Sequence, residues 1–370
     1  MKVLVIGGGV GSLTACTSLR KFDKSVEIIL VEPKEYFEVA WATYRAVFDH
    51  DTAEKTLFDL KKWAVPKSVQ VVKATVTQLT LNSATLSTGE VIEFNVCVIA
   101  TGAATAWPAL GRGPPVPGQN GSREQRLAAL GAEGKKLIAA GSVLVVGGGL
   151  IGIETAGDLM AFAPKAGNPL QVTLVHSKEK LSEEMTPNAS KMLQKKLETL
   201  GVKVILNEKV VDRNGKFFLE KAETEMTAKE VIWTTGLKPL NSFVDAKFLD
   251  KKGWLQVDDY FRVKGAENKL FAIGDCCDLL PNSGVNITAN LGTIGKNIKA
   301  ALDAQEKNNS DKMEKKMRKA LGAPEVFVTT VGPDTGVALT PMCHTQFMLP
   351  WLKNSTMFIF KAKSDFGLKD

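Results

Sequence analysis

The apolar pattern of this chain repeats itself once. Residues 3–15 read VLVIGGGVGSLTA and residues 143–156 read VLVVGGGLIGIETA, 140 positions apart. Each copy is a short apolar run of β type, then a glycine cluster, then a helix-forming run. The pattern predicts two βαβ units opening on glycines. In the first, 2–6 is a strand, 11–21 a helix and 26–31 a strand. In the second, the strand from 143 leads into a helix over 150–162 and a strand over 172–176. One such unit suggests one nucleotide-diphosphate site. Two suggest two dinucleotides facing each other, as electron transfer between cofactors requires.

The remaining pattern fills in the architecture. Residues 69–99 alternate short β-type runs (69–73, 84–86, 91–94) and end in an apolar strand over 96–100. The Gly/Pro-rich stretch 108–121 reads as a connection, and 125–140 as a helix. A turn-rich insert, PKAGNP, follows the second βαβ helix. A proline near its start and helical periodicity predict a helix over 186–200, with strands at 202–206 and 231–234. Two further strands, 255–261 and 270–273, lead to Gly274-Asp275, and a helix is expected over 288–304. The charged run EKNNSDKMEKKMRK, beginning at Glu306, reads as a solvated linker or helix face. Beyond it, 325–370 reads as a short β-type tail with Phe, Met and Trp near its end.

Bulk composition adds limits. A chain of 370 residues exceeds one ordinary core, so two or three domains are expected. Lys and Arg outnumber Asp and Glu by 47 to 40. A net +7 suits a phosphate-bearing cofactor, anionic lipid or nucleic acid, and equally a plain basic soluble protein. The five cysteines (16, 97, 276, 277, 343) show no CxxC and no zinc spacing, so we expect no metal and a reducing compartment. No apolar run is long enough to span a bilayer. A strand beginning almost at Met1 leaves no visible signal peptide, and Lys2 excludes N-myristoylation of this sequence.

The first glycine cluster places Gly7, Gly9 and Ser12 in the G-x-G-x-x-G frame, with Gly11 adding room. Gly7 allows the tight turn, and Gly9 admits a pyrophosphate to the helix N-terminus. Ser12 departs from the expected glycine but is small. Glu32 ends the next strand, where a carboxylate accepts hydrogen bonds from an adenosine ribose. In the second cluster Gly147, Gly149 and Gly152 complete the frame. Its next strand ends in His176-Ser177, and no carboxylate opposes a 2′-phosphate, so NADPH is expected to be accepted beside NADH. Lys178 and Lys180 are further candidates to meet that phosphate. Glu154, in the first turn of the second helix, either complements the helix dipole or lies at the nicotinamide–flavin junction.

Further motifs discriminate. Val98-Ile99-Ala100-Thr101-Gly102 matches the ATG motif of two-dinucleotide flavoproteins, and Trp233-Thr234-Thr235-Gly236 resembles its second copy. Leu270 to Asp275, LFAIGD, looks like the late flavin motif whose Asp holds the ribityl chain. As a set covering about residues 1–305, these resemble the FAD- and NAD(P)H-dependent pyridine-nucleotide reductases. Glu32 to Phe37 (EPKEYF), with Trp41-Ala42 and Arg45, is similar to the apoptosis-inducing-factor-like proteins. Within them it is similar to the ferroptosis-suppressor-protein branch with its plant and algal members.

The resemblance implies an α/β fold of two Rossmann-like, glutathione-reductase-like domains plus a short C-terminal α+β domain. Residues 1–115 and 256–305 would form the FAD domain, 116–255 the NAD(P)H domain, and 306–370 the C-terminal domain. It assigns Lys34, Arg45, Val76, Ala100, Thr101, Gly102 and Asp275 to FAD. Ile151, Thr235 and Gly236 go to the nicotinamide nucleotide. Lys353 and Phe358 match a family Lys and Phe placed near the flavin, with Lys353 the candidate to polarise a quinone carbonyl. Implied are NAD(P)H:quinone reduction on ubiquinone or vitamin K and radical-trapping quinols. A cytoplasmic protein, peripheral on membranes or lipid droplets, monomeric or homodimeric, is expected. Residues 33–60 lack cysteine, so dithiol relays are excluded and direct transfer to the acceptor is expected. Adjacent Cys276-Cys277 read as free thiols. The tail 344–363 could rest on a bilayer interface or merely cover the body. Two alternatives stay open: a monodehydroascorbate or ferredoxin-type reductase, and a flavin-bearing signalling protein that binds nucleic acid.

Overall fold

The computed structural model describes the chain except residues 111–120, 164–169, 280–282, 310–312, 323–325, 340–343, 346–347 and 370. Most of the 108–121 connection, the PKAGNP insert, Cys343 and Phe347 lie outside the described residues.

Two parallel sheets carry the two repeats. The first has the strand order Leu270–Ala272, Val96–Ile99, Lys2–Ile6, Glu27–Val31, Val69–Val72. The second runs Lys203–Ile205, Gln171–Val175, Ser142–Val146, Glu230–Trp233. All neighbours are parallel. Parallel sheets need apolar cover on both faces, and the repeated strand supplies it. Val3 and Val5 enter one core while Leu4 and Ile6 enter another. Val143 and Val145 share the first core, and Leu144 and Val146 enter a third. In each sheet the chain leaves the first strand of the repeat at the point where strand order reverses. A crevice forms there, at the carboxyl ends of the strands.

The helices Val10–Phe22 and Leu150–Phe162 follow the glycine clusters. Close helix crossings fix them. A Cβ on Gly295 would lie 2.3 Å from the main chain of Ser18, so Ile294–Glu306 packs directly onto the first helix. A Cβ on Gly157 would lie 2.7 Å from the Gly332 nitrogen, so the second helix packs onto a hairpin of Phe327–Val331 and Thr335–Leu339.

Several expectations are corrected. Residues 255–261 form single bridges, not a strand. The Asp258 carboxylate accepts the N–H groups of Tyr260 and Arg262, and Phe261 turns with φ 67°. The expected helix 288–304 is two, Gly284–Ala289 and Ile294–Glu306. The break falls beside Asn290, which is buried and exchanges two hydrogen bonds with the Leu321 main chain. Asn297 does the same with Arg318. The charged run keeps its described Lys, Arg and Glu side chains exposed, as a solvated face, while Met313 and Met317 are buried beneath it and the Arg318 main chain ties it to the body. The tail is helical near its end, at Met348–Thr356 and Ile359–Phe366. No helix among the described residues is long and apolar enough to cross a membrane.

Candidate functional site

The two glycine loops are built alike, hydrogen bond for hydrogen bond. Gly7 N–H donates to Val31 O, and Gly147 N–H to Val175 O, both at 2.9 Å. Gly7 and Gly147 sit at φ 102° and 114°, a turn that only glycine makes without strain. Neither following helix has a side chain capping its N-terminus. A Cβ on Gly9 or Gly149 would meet no atom within 4 Å. Each loop is thus an open cradle where a diphosphate can lie against main-chain N–H groups and the helix dipole. Gly11 and Gly152 face the other way: a Cβ there would strike Ile273 O at 2.8 Å and Gly147 O at 1.8 Å.

In the first site Glu32 is 3 % exposed. Its Oε2 accepts the Gly8 N–H at 2.5 Å, and its Oε1 pairs with the Lys34 ammonium at 2.6 Å. Ionised carboxylate oxygens have lone pairs to spare for ribose hydroxyls. One cleft is lined by Gly8, Gly9, Gly11, Glu32 and Lys34, and also by Ala100, Thr101, Gly102 and Asp275. Ser12 packs beneath it, fully buried. These residues fit an adenine dinucleotide. Sequence reasoning missed other parts of the wall: Glu38, Thr43, Ser283, Gly284 and Ile287. Trp41 also lines the cleft, and a Cβ on Gly284 would lie 2.7 Å from its ring. Of these, only Trp41 carried a signal in the sequence, as part of the family resemblance.

In the second site His176 takes the place of Glu32. Its Nδ1 accepts the Gly148 N–H at 3.1 Å. Its Nε2 is buried with no hydrogen-bond partner. A ring nitrogen that accepts leaves the other to carry the proton, so Nε2–H is a buried donor with no partner among the described residues. Partial burial lowers the imidazole pKa, which keeps the ring neutral. Ser177 is exposed beside it. Lys180 cannot serve a 2′-phosphate in this arrangement, because its ammonium is bound to the carbonyls of Ser182, Glu183 and Met185. Thr235 closes the loop, with its Cγ2 2.6 Å from where a Gly147 Cβ would lie, and Gly236 turns away at φ 74°. Ile151 begins the helix, partly buried.

Between the sites lies a buried polar cluster. Lys353 is 8 % exposed, not a surface lysine. Its Nζ donates to Glu154 Oε1 at 2.5 Å and Val328 O at 2.8 Å, and lies 5.7 Å from the Tyr44 ring centroid. Burial pushes the Tyr44 phenol well above its ordinary pKa, and nearby Glu154 and Asp158 push the same way. Glu154 and Asp158 stand one turn apart on one helix face. Burial raises the Asp158 carboxyl to about 6, against the opposing field of Arg45. Trp41 Nε1–H donates to Met357 O at 2.9 Å, one residue before Phe358. Met357 and Phe358 both adopt left-handed backbone, at φ 46° and 50°. Phe358 meets Phe360 edge-on at 6.3 Å.

Two of the residues assigned to FAD are not in the wall of this cleft. Arg45 does not line the cleft; its guanidinium is held by Asp158, Gly332 and Asn354. Val76 sits in the antiparallel sheet of Val76–Leu79, Ser83–Leu86 and Val91–Glu93, away from the cleft wall. Cys276 and Cys277 are free and buried, their thiols hydrogen-bonded to Ile99 O and Gly274 O. No metal-binding group of His, Cys, Asp or Glu occurs among the described residues.

Comparison with known proteins agrees with this geometry. The family model described as pyridine nucleotide-disulphide oxidoreductase matches residues 1–306. Apoptosis-inducing factor homolog B of Dictyostelium discoideum is 25 % identical over 97 % of this chain and 95 % of its own. Ferroptosis suppressor protein 1 of Xenopus tropicalis is 29 % identical over 75 % of this chain and 74 % of its own. The crystal structure of the sulfide:quinone oxidoreductase from Aquifex aeolicus superposes with a TM-score of 0.75 at 16 % identity, covering 98 % of this chain and 92 % of that one, a likeness of fold. The chain belongs to the pyridine nucleotide-disulphide oxidoreductase family and is an FAD- and NAD(P)H-dependent oxidoreductase of the apoptosis-inducing-factor and ferroptosis-suppressor type.

Proposed function

We propose that the chain is an NAD(P)H:quinone oxidoreductase acting on a lipid-soluble quinone of ubiquinone or vitamin K type, with an antioxidant, ferroptosis-suppressing role. The net reaction is NAD(P)H + H⁺ + quinone → NAD(P)⁺ + quinol. Bound FAD supplies the two-electron chemistry. The observation that carries the reading is the buried Lys353–Glu154 pair, 2.5 Å apart, whose ammonium lies 5.7 Å from the ring of Tyr44, the residue that follows Thr43 of the cleft wall. A fixed ammonium in a buried site stabilises charge that develops on a quinone oxygen. The absence of cysteine from residues 33–60 supports direct delivery to the acceptor over a thiol relay.

The route for a lipid-soluble acceptor is the C-terminal helix pair. Trp351 and Phe360 are 67 % and 48 % exposed, so they do not merely cover the body. They give these helices an apolar outer surface beside Lys361 and Lys363, suited to peripheral contact with a bilayer. The deciding test is steady-state turnover of NADH and NADPH against short-chain ubiquinone, menadione, ascorbyl radical and a ferredoxin. Quinone turnover that drops by about 100-fold in Lys353→Ala, the loss of one charge-stabilising donor, is expected. Turnover of ascorbyl radical or ferredoxin without quinone turnover would replace the reading with a reductase for those acceptors. Negligible turnover with salt-sensitive DNA binding would favour a signalling protein.

A further inference from the structure

Arg45 is a buried arginine placed where three segments meet. It is 2 % exposed and lies on the short helix Thr43–Ala46. Its fork grips Asp158 through two bonds, Nε to Oδ2 at 3.0 Å and Nη2 to Oδ1 at 2.9 Å. Nη2 also reaches Gly332 O at 2.9 Å and Thr330 Oγ1 at 3.4 Å. The main-chain and side-chain oxygens of Asn354 lie 3.2 Å from Nη1 and Nη2. The partners therefore belong to the helix Leu150–Phe162, the hairpin at 327–339 and the helix Met348–Thr356.

Those same segments carry both hydrogen-bond partners of the Lys353 ammonium among the described residues. Glu154 is one turn before Asp158. Val328, whose carbonyl accepts from Lys353, is in the hairpin. Lys353 itself precedes Asn354. Thr330 is shared outright: its N–H donates to Glu154 Oε1 at 3.1 Å, and its hydroxyl lies within reach of both Glu154 and Arg45. Arg45 bonds all three segments from outside them, while Lys353, itself in the third, bonds the other two. An arginine fork is suited to this, because its planar donors fix orientation as well as charge.

We propose that Arg45 is the positioning residue of the active site, holding Lys353 on Glu154 through Asp158, Thr330 and Asn354. The proposal rests on the reading of Lys353 as the residue that faces the electron acceptor. It also gives Arg45 a role that the flavin assignment did not. Bare stability is a separate matter. A buried ion pair contributes little relative to well-packed apolar residues of similar volume, whereas removing one partner is strongly destabilising.

The experiment uses full-length, FAD-loaded protein and reads Lys353 directly, by acetylation with an activated ester followed by peptide mass spectrometry. Arg45→Met is expected to raise the Lys353 labelling rate by about 10-fold or more, the loss of a charge-assisted hydrogen bond. Arg45→Lys, which keeps the charge but not the fork, should fall between. The apolar pair Arg45→Met with Asp158→Leu removes the unpaired charge and recovers much of the lost Tm. Lys353 is still expected to label fast in it, and KM for the quinone to stay raised while KM for NADH is unchanged. A core variant of similar Tm loss, Leu137→Ala, should leave Lys353 protected. Protection of Lys353 in Arg45→Met, or its recovery together with Tm in the apolar pair, would overturn the positioning role. Labelling makes no reference to the acceptor, so a failure of the quinone reading alone would leave the result interpretable.

Discussion

The two dinucleotide loops share a backbone and differ in one side chain. Gly8 N–H is taken by Glu32 and Gly148 N–H by His176, at the same place in the two folds. Diphosphate is the common part of FAD and NAD(P)H, so near-identical loops suit it. On the proposed assignment the residue at the end of the second strand meets the nucleoside, the part in which the two cofactors' surroundings differ. An ionised carboxylate only accepts. An imidazole whose Nδ1 is already occupied presents a donor. The proposal is therefore that the main chain recognises the phosphate and this single side chain the sugar.

The largest effects should come from filling the cradles. Gly9→Val places branched carbons in the open space beneath the first diphosphate. Protein purified with this change is expected to lack the flavin absorbance band altogether. Gly149→Val, the same change in the second loop, should keep the flavin and raise KM for both NADH and NADPH, by about 100-fold if some 3 kcal/mol of binding is lost. Loss of flavin from Gly149→Val would show that the two loops are not separately assigned.

A smaller effect tests where the copies are not alike. The third frame position is Ser12 in the first loop and Gly152 in the second. A Cβ on Gly152 would sit 1.8 Å from Gly147 O, so Gly152→Ser forces the loop off its helix. We expect a cost of about 3 kcal/mol in denaturant unfolding, at the upper end of overpacking changes. Ser12 is fully buried with its hydroxyl unpaired, so Ser12→Gly should cost far less. Equal costs would mean that the first helix packs as tightly as the second.

The same contrast explains what was legible in the sequence. The loops were readable because each is closed by contacts within about one βαβ unit: strand, turn, helix and strand end follow in order. Glu32 and His176 could be located by counting along that unit. The polar cluster around Lys353 was not readable as a cluster. Lys353 meets Glu154 across 199 positions, and Arg45 meets Asp158 across 113. Nothing local to Arg45 says that its partner is an aspartate on the second helix, so only the family resemblance spoke for it, and that assigned it to FAD. Lys353 and Phe358 were found only through the family resemblance. The tail was read as β because its Phe, Met and Trp residues suit strands. Its first part does form strands, the hairpin at 327–339, but its end folds as helices: Lys353 and Met357 are buried one turn apart, as are Ile359, Ala362 and Phe366 along the next helix, while Trp351 and Phe360 face out. The strand expected at 255–261 failed for a different reason, an aspartate side chain that turns its own backbone.

The smallest effect is the sharpest test of the comparison. His176→Glu makes the second loop end as the first does. The glutamate can accept the Gly148 N–H as Glu32 accepts that of Gly8, so the fold of the loop should survive. What changes is the group facing the ribose, from a neutral donor to a negative acceptor. A 2′-phosphate then meets like charge, and a 2′-hydroxyl gains an acceptor. The ratio of kcat/KM for NADPH to that for NADH should fall by about 10-fold, near 1.4 kcal/mol, with the flavin spectrum unchanged. A companion measurement uses pH. The imidazole pKa is lowered in the folded protein, so the native form binds fewer protons than an unperturbed histidine with pKa near 6.5. The Gly148 bond is therefore intact above that range and lost as pH falls through the lowered value, because a protonated Nδ1 no longer accepts. KM for NADH should rise on that acid limb in the wild type and stay flat there in His176→Gln, whose side-chain oxygen keeps an acceptor without titrating. An unchanged nucleotide ratio in His176→Glu would place sugar recognition outside this strand end, and the likeness of the two loops would then stop at the diphosphate.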